Sequence, residues 1–274
     1  MSTAFYFCTN LTSISIPDSV TSIGSNAFQG CSRLASVTIP DNITSISSST
    51  FVGCNSLTSI IIPDSVKTLG GSAFANCYNL TPITIPDGVT SIGSSVFSGC
   101  YNITSIIIPD GVKSISSYAF SGCYSLTSIT IPDTVTSIGS NAFQSCYDLT
   151  SITIPDSVKS IDSYMLQNCY SLTSIIIPDG ITNIGAYAFN ACYSLTSITI
   201  PDSVTSIGNC AFQSCYSLKN IIMEGSTPPT LSSTSAFGSL ITDYTIIVPA
   251  GSRESYIAAS NWSSLADHIV EATA

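Results

Sequence analysis

Leu126 to Asp148 reads LTSITIPDTVTSIGSNAFQSCYD, and this 23-residue unit recurs along most of the chain without a change of spacing. Pro17, Pro40, Pro63, Pro86, Pro109, Pro132, Pro155, Pro178 and Pro201 lie 23 residues apart. So do Cys8, Cys31, Cys54, Cys77, Cys100, Cys123, Cys146, Cys169, Cys192 and Cys215. A fixed period of about 20–50 residues marks a solenoid or array, in which each unit packs only on its neighbours. Within the unit, Leu126, Ile129 and Ile131 are apolar, and Ser128 and Thr130 alternate with the isoleucines. That period of two predicts a half-buried strand. Pro132 stops it and Asp133 opens a turn. Gly88, Gly111 and Gly180 take the second turn slot in three repeats. Val135 and Ile138 then point inward again, in a second short extended segment that Gly139 breaks. Ser140 to Ser145 is too short for a regular helix and reads as one helical or 3₁₀ turn that buries Ala142 and Phe143. Cys146 leads into the next strand.

Stacked coils place identical side chains above one another at the inter-strand spacing of about 4.8 Å, so ten rungs make a rod or arc of roughly 45–50 Å. A single unit cannot bury its apolar face, but several together can. The predicted fold is therefore a repeat solenoid, mostly β, with parallel strands and short helical turns. It spans 1–225 as a partial first repeat and about nine full ones. From Met223 the register fails, and 226–274 reads as a capping segment. There Thr245 to Gly251 suggests a last strand. Ser252 is placed to N-cap a short helix to Ser260, with Glu254 near its positive end. A second short helix is expected over about Ser263 to Glu271. At the other end Ala4, Phe5 and Cys8 stand 23 residues before Ala27, Phe28 and Cys31, so the chain starts inside a unit. Solenoids need polar caps. Either the chain is a piece of a longer protein, or a partner covers the first rung.

Only 8% of residues are charged, against about 25% in ordinary soluble domains. Six Lys and Arg and a net charge of −10 exclude nucleic acid as a partner, because phosphate binding needs cations. No apolar run reaches the roughly 18 residues of a membrane span. MSTAFYFCTN has neither a basic flank nor a long apolar core, so this chain shows no signal peptide. One cysteine per repeat at one position, with no CxxC, predicts a reduced core ladder of small hydrophobes. Parallel Cβ vectors on adjacent rungs suit disulfides poorly. Cys210 is different: it takes the slot held by Asn26 and Asn141, and is expected to be more exposed.

The pattern LxxIxIPxxVxxIGxxAFxxCxx resembles the BspA-like, Treponema-type leucine-rich repeats of bacterial surface proteins. The resemblance covers about Ala4 to Gly225. Departures are Leu166 in the phenylalanine slot, Pro82 at a strand position, and Ser47 and Ser116 in place of glycine. It implies a leucine-rich-repeat arc, a secreted or cell-surface location, and in some relatives adhesion to host matrix proteins or other bacteria. It also implies that the outward strand positions line the concave side.

No GxSxG, HExxH or Walker sequence is present, and the one histidine, His268, lies in the capping segment. A repeat supplies one residue type in rows, whereas catalysis needs mixed types converging. The expectation is a non-enzymatic chain with no cofactor and no metal. Nine aspartates, Asp18 to Asp202, follow the prolines. They are read as turn formers that bond their own backbone rather than as Ca²⁺ ligands, since calcium repeats supply several oxygens per turn. Lys67, Lys113 and Lys159 are read as softening repulsion along that row.

Two rows remain as candidate binding surface. The outward strand row includes Thr84, Ile107, Thr130, Thr153, Ile176 and Thr199. Exposed isoleucines there mark either a contact surface or simple strand propensity. The row after the cysteines is Tyr78, Tyr101, Tyr124, Tyr147, Tyr170, Tyr193 and Tyr216. Tyrosine favours interfaces, and it also stacks with no partner present. The leading expectation is an adhesin-type module that recognises a protein or glycan through its lateral surface. The alternatives are a structural spacer or stalk that self-associates through its uncapped N-terminal rung and, as a minor reading, an ice-binding Thr/Ser ladder.

Overall fold

In a computed structural model, which describes residues 2–241 and 243–273, each unit makes one coil of a parallel β-solenoid. First-line strands pair with their equivalents 23 residues on in separate stretches, Ser13–Ser15 with Ser36–Thr38 near the start and Ser197–Ile200 with Asn220–Met223 near the end. Ser105–Ile107 pairs with Ser128–Thr130, with Ile106 opposite Ile129. The second extended segment forms a separate sheet, in which Ser114–Ile115 pairs with Ser137–Ile138. Both lines alternate as expected, with Ile106, Ile129 and Ile138 buried and Ser105, Ser128 and Ser137 exposed. One gap in the first line falls at Pro82: residues 81–85 form no strand, as expected where proline cannot donate to the ladder, and residues 58–62 on the rung before also form none.

The third side of the coil is not helical. Residues 140–146 run as linked turns, and two positions per unit take a left-handed backbone, φ 60° at Asn141 and 59° at Ser145. The equivalent residues in other units do the same, including Tyr118, Tyr164, Tyr187 and Cys210 at the first slot and Gly30, Gly53, Asn76 and Ala191 at the second. Two such residues in one short segment break any helical turn. They turn the backbone so that it bonds the next rung instead: Phe120 N–H donates to Ala142 O (2.9 Å) and Gly122 N–H to Gln144 O (2.7 Å). After Thr3 neither slot holds a β-branched residue, as the steric cost of positive φ requires.

The interior is a set of ladders. Phenylalanine rings stack from Phe5 to Phe143 with centroids 5.2–5.7 Å apart, and again over Phe189, Phe212 and Phe237. Leu166 interrupts the stack. It is buried beside Met165, which replaces the alanine of most other units, so a larger neighbour fills what the smaller side chain leaves.

The cysteines are free thiols. Each ladder thiol from Cys31 to Cys215 donates to the backbone carbonyl 26 residues earlier, as Cys123 does to Phe97 O (3.2 Å). Burial pushes Cys77, Cys123, Cys169 and Cys215 up to about 12, so they stay protonated at neutral pH. Cys8, on the first rung, is exposed. Cys210 departs from expectation: it is buried. The stacked Tyr164 and Tyr187 rings occupy the same slot on the two preceding rungs, and Tyr187 lies against the thiol.

Pairing continues past 225, at first with loops one and two residues longer and then at the original spacing. Leu231 pairs with Ile207, Ile246 with Ile221 and Ile269 with Ile246. The predicted strand is Thr245–Val248 and the predicted helix is Arg253–Ala258. Ser252 does not cap that helix through its side chain, which donates to Pro249 O; Glu271 Oε1 accepts from Arg253 N–H instead (3.1 Å). The second helix is a 3₁₀ turn, Ser263–His268, and the residues after it form the strand Ile269–Glu271 rather than more helix. Three side-chain bonds clamp this segment to the last loop: Tyr256 OH to Gly225 O, Asn261 Nδ2 to Leu231 O and Trp262 Nε1 to Pro229 O, at 2.7, 2.7 and 2.8 Å.

Candidate functional site

The aspartate row lies at turns, but not through the predicted side-chain bond. Val135 N–H closes the turn on Pro132 O (3.0 Å), and its equivalents do likewise. Asp133 and the other eight aspartates of the row are exposed, and none of their carboxylates takes a hydrogen bond among the described residues. Nor do the lysines neutralise them. Lys159 Nζ donates to the Asp156 carbonyl (3.3 Å) and lies over Gly180 on the next rung, where a Cβ would meet it; Lys67 is placed likewise over Gly88. The one ion pair among the described residues is Arg253 with Glu254. No three His, Cys, Asp or Glu side chains converge among the described residues. His268 stacks on Tyr244 at 3.9 Å and its Nδ1 meets Tyr244 O (3.1 Å), a packing role at the end of the array.

The strand row is fully outward. Thr84, Ile107, Thr130, Thr153, Ile176 and Thr199 are all exposed. In register, Ile107 lies opposite Thr130, Thr153 opposite Ile176, and Thr199 opposite Ile222. Ile61, Ile107 and Ile176 are 84%, 70% and 82% exposed. Strand propensity explains a β-branched residue there, but threonine would serve equally. The isoleucines gain nothing from burial within this chain.

The tyrosine row forms one continuous stack. Seven rings from Tyr78 to Tyr216 lie 4.4–5.1 Å apart and within 13° of parallel. The interior rings cover each other's faces and present edges and hydroxyls. Burial, then the neighbouring phenols Tyr101 and Tyr147, push Tyr124 up to about 12. Only the rings at the two ends have an unstacked face. The two rows do not form one site: each is ordered along its own ladder, and the buried Leu126 lies between Tyr124 and Thr130 in the chain.

Two features escape the row-by-row sequence reading. One is a recess beside Asn55, before the tyrosine stack starts. The other is an apolar cavity of about 460 Å³ at the first rung, lined by Phe5, Ile14, Ile16, Val20, Ile23 and Phe28 among others. The sequence matches the BspA type leucine rich repeat region, in six copies, over residues 1–127 and 113–239. The chain belongs to the BspA-type leucine-rich repeat family.

Solved structures agree. A leucine-rich repeat protein from Bacteroides ovatus is 26% identical over 100% of this chain and 87% of its own, with a TM-score of 0.51. The T. pallidum leucine-rich repeat protein is 36% identical over 54% of this chain and 69% of its own, with a TM-score of 0.52. The pneumococcal vaccine antigen PcpA shares the fold at 16% identity and a TM-score of 0.56, covering 96% of this chain and 80% of its own. No curated protein matches the sequence. As a BspA-type array, the chain is a repeat module of a binding or structural kind. No helix among the described residues is long and apolar enough to cross a membrane.

Proposed function

We propose that this array is a non-enzymatic recognition module, secreted or held at a bacterial cell surface, that binds a protein or glycan through its lateral surface. The observation that carries this reading is the bare isoleucines of the strand row. Ile107 stands out from a strand, Ile176 from a bridge and Ile61 from the equivalent extended segment, while every other isoleucine row of the unit is interior. Large apolar side chains turned outward from an extended ladder are what a partner's contact residues need. Family membership supports the surface location.

The test is retention of extracellular-matrix proteins and arrayed glycans by the wild type and by an Ile107→Ser, Ile176→Ser double variant. The variant should lose about ten-fold or more in retention of whatever the wild type holds, with an unchanged melting curve, because surface substitutions usually cost within about 0.5 kcal/mol. Equal retention by both removes the strand row as the contact surface.

The first-rung cavity favours a second reading, a spacer or self-assembling stalk. Its lining of Phe5, Ile14, Val20 and Phe28 matches the underside of a further rung, supplied by preceding residues or by another copy. On this reading the chain as given should gain mass with concentration in light scattering. A constant monomer mass up to about millimolar concentration, where even weak pairs form, argues against assembly through that end.

A further inference from the structure

The tyrosine stack begins at Tyr78, because the first three rungs carry Thr9, Ser32 and Asn55 in its row. The missing rings leave a recess of about 330 Å³. Its floor includes Gly30 and Gly53, left-handed at φ 75° and 70°. At one end the Phe7 ring crosses over Gly30, where an added Cβ would lie 2.8 Å from it, and Phe7 is 57% exposed. At the other end stands Tyr78. One face of its ring is covered by Tyr101 at 4.6 Å and 9°. The other is turned toward the rung of Asn55, which carries no ring.

Apart from Val52, the remaining lining is amide and hydroxyl. Gln29 Oε1 accepts from Asn26 Nδ2, which leaves the Gln29 Nε2 protons to donate. With the Asn55 amide assigned so that its nitrogen donates to the carbonyls of Gly53 (3.2 Å) and Asn76 (2.9 Å), its Oδ1 is left as an acceptor. Asn76 is exposed beside them. No charged side chain lines the recess.

We propose that this recess is a subsite for a neutral pyranose, seated on the open face of Tyr78 and held at its rim by the carboxamides of Gln29, Asn55 and Asn76. A pyranose has a C–H face that packs on an aromatic ring and a rim of hydroxyls that both donate and accept. The recess offers that pairing: an aromatic face that continues an existing stack, with fixed donors and acceptors around it. Phe7 and Tyr78 are about three rungs apart, or roughly 14 Å at the sheet spacing, so a second sugar ring fits toward Phe7. An apolar peptide would bury the amides unpaired, at a cost. An acidic glycan finds no cation among the lining residues, in a chain of net charge −10. The proposal rests on the recognition-module reading and adds a place and a ligand class to it.

The test uses the whole chain titrated calorimetrically with cellobiose, maltose and N,N′-diacetylchitobiose. At least one should bind, in the range of about 1 mM typical of a single shallow site. Asn55→Tyr places a ring where later rungs already carry one, so it extends the stack and fills the recess without a new fold requirement. It should weaken binding about ten-fold or more, as should Tyr78→Ala. Tyr216 ends the same stack on the far side, 51% exposed, and lines no part of the recess. Tyr216→Ala should leave affinity within about two-fold. Equal losses at Tyr78 and Tyr216 would overturn the proposal, and so would an Asn55→Tyr chain that binds as the wild type does. If Tyr78→Ala does not fold, Asn55→Tyr decides alone. Failure of all three disaccharides to bind also overturns the subsite. The broader recognition reading is judged separately, by retention in the Ile107→Ser, Ile176→Ser variant.

Discussion

Trp262→Ala lowers the melting temperature of the array by about 10 °C, and proteolysis of the variant starts from the C-terminal end. Trp262 is completely buried and is the last aromatic of the interior column, 5.9 Å from Phe237 and tilted 48° to it. Tyr256 meets it edge-on at 5.0 Å, and its indole N–H donates to Pro229 O (2.8 Å). Truncation therefore removes a large apolar contact and leaves a buried carbonyl without a donor. Phe/Trp→Ala in a core costs about 3–5 kcal/mol, and in a chain of this size each kcal/mol shifts the midpoint by roughly 2–4 °C. The loss is not confined to the cap. In a one-dimensional array each rung is held by its neighbours, so an exposed Phe237 rung passes its instability to Phe212 and beyond. Trp262→Phe keeps the apolar contact, loses only the indole donor and should recover most of the midpoint. Circular dichroism melts of both variants with limited proteolysis test this. A Trp262→Ala midpoint within about 2 °C of wild type, less than 1 kcal/mol on that scale, would show that the cap does not hold the final rung.

The interior was legible because stacking multiplies each choice. Leu126, Ile129, Val135, Phe143 and Cys146 meet copies of themselves, so a period of 23 and an inward pattern are enough to place them. The turn side was not legible, because its rule is a backbone angle rather than a residue type. Asn141, Tyr118, Ser95 and Cys210 share a positive φ and no side-chain chemistry. The one readable trace is the lack of β-branched residues there. Cys210 follows the same rule: a lone cysteine in that slot reads as exposed, whereas it is buried with Tyr187 of the preceding rung against its thiol. Ser252 has the right residue type for a cap and bonds backward to Pro249 instead. The candidate rows were legible as rows, since Thr130 and Tyr124 recur by count. The recess was not, because it is made by what Thr9, Ser32 and Asn55 lack, together with Phe7 and Gln29 from other slots. Such departures carry no periodic signal, yet in an array they are the positions that make one rung different from another.

Phe120→Ala tests whether the array is one cooperative body. Phe120 is fully buried at mid-chain, with Phe97 at 5.7 Å on one side and Phe143 at 5.6 Å on the other. Its loss weakens two rung interfaces at once, again by about 3–5 kcal/mol. Long repeat arrays lose two-state behaviour when an interior coupling is cut. Urea unfolding followed by circular dichroism should therefore show a lower first midpoint and a shallower or biphasic transition, with the half carrying the C-terminal segment unfolding last. Leu166 bears on the alternative. At that rung the ring is already absent, and Met165 fills the space beside it, so the column tolerates a gap in stacking provided the volume is kept. It follows that Phe120→Leu combined with Ala119→Met, which copies the Met165–Leu166 pair, should restore a single transition where Phe120→Ala does not. The pair should then cost less than the sum of its single substitutions, as expected for side chains that share one space. A single steep transition in Phe120→Ala, with an unchanged slope, would mean that the backbone ladders on the three sides of the coil couple the rungs without the ring column.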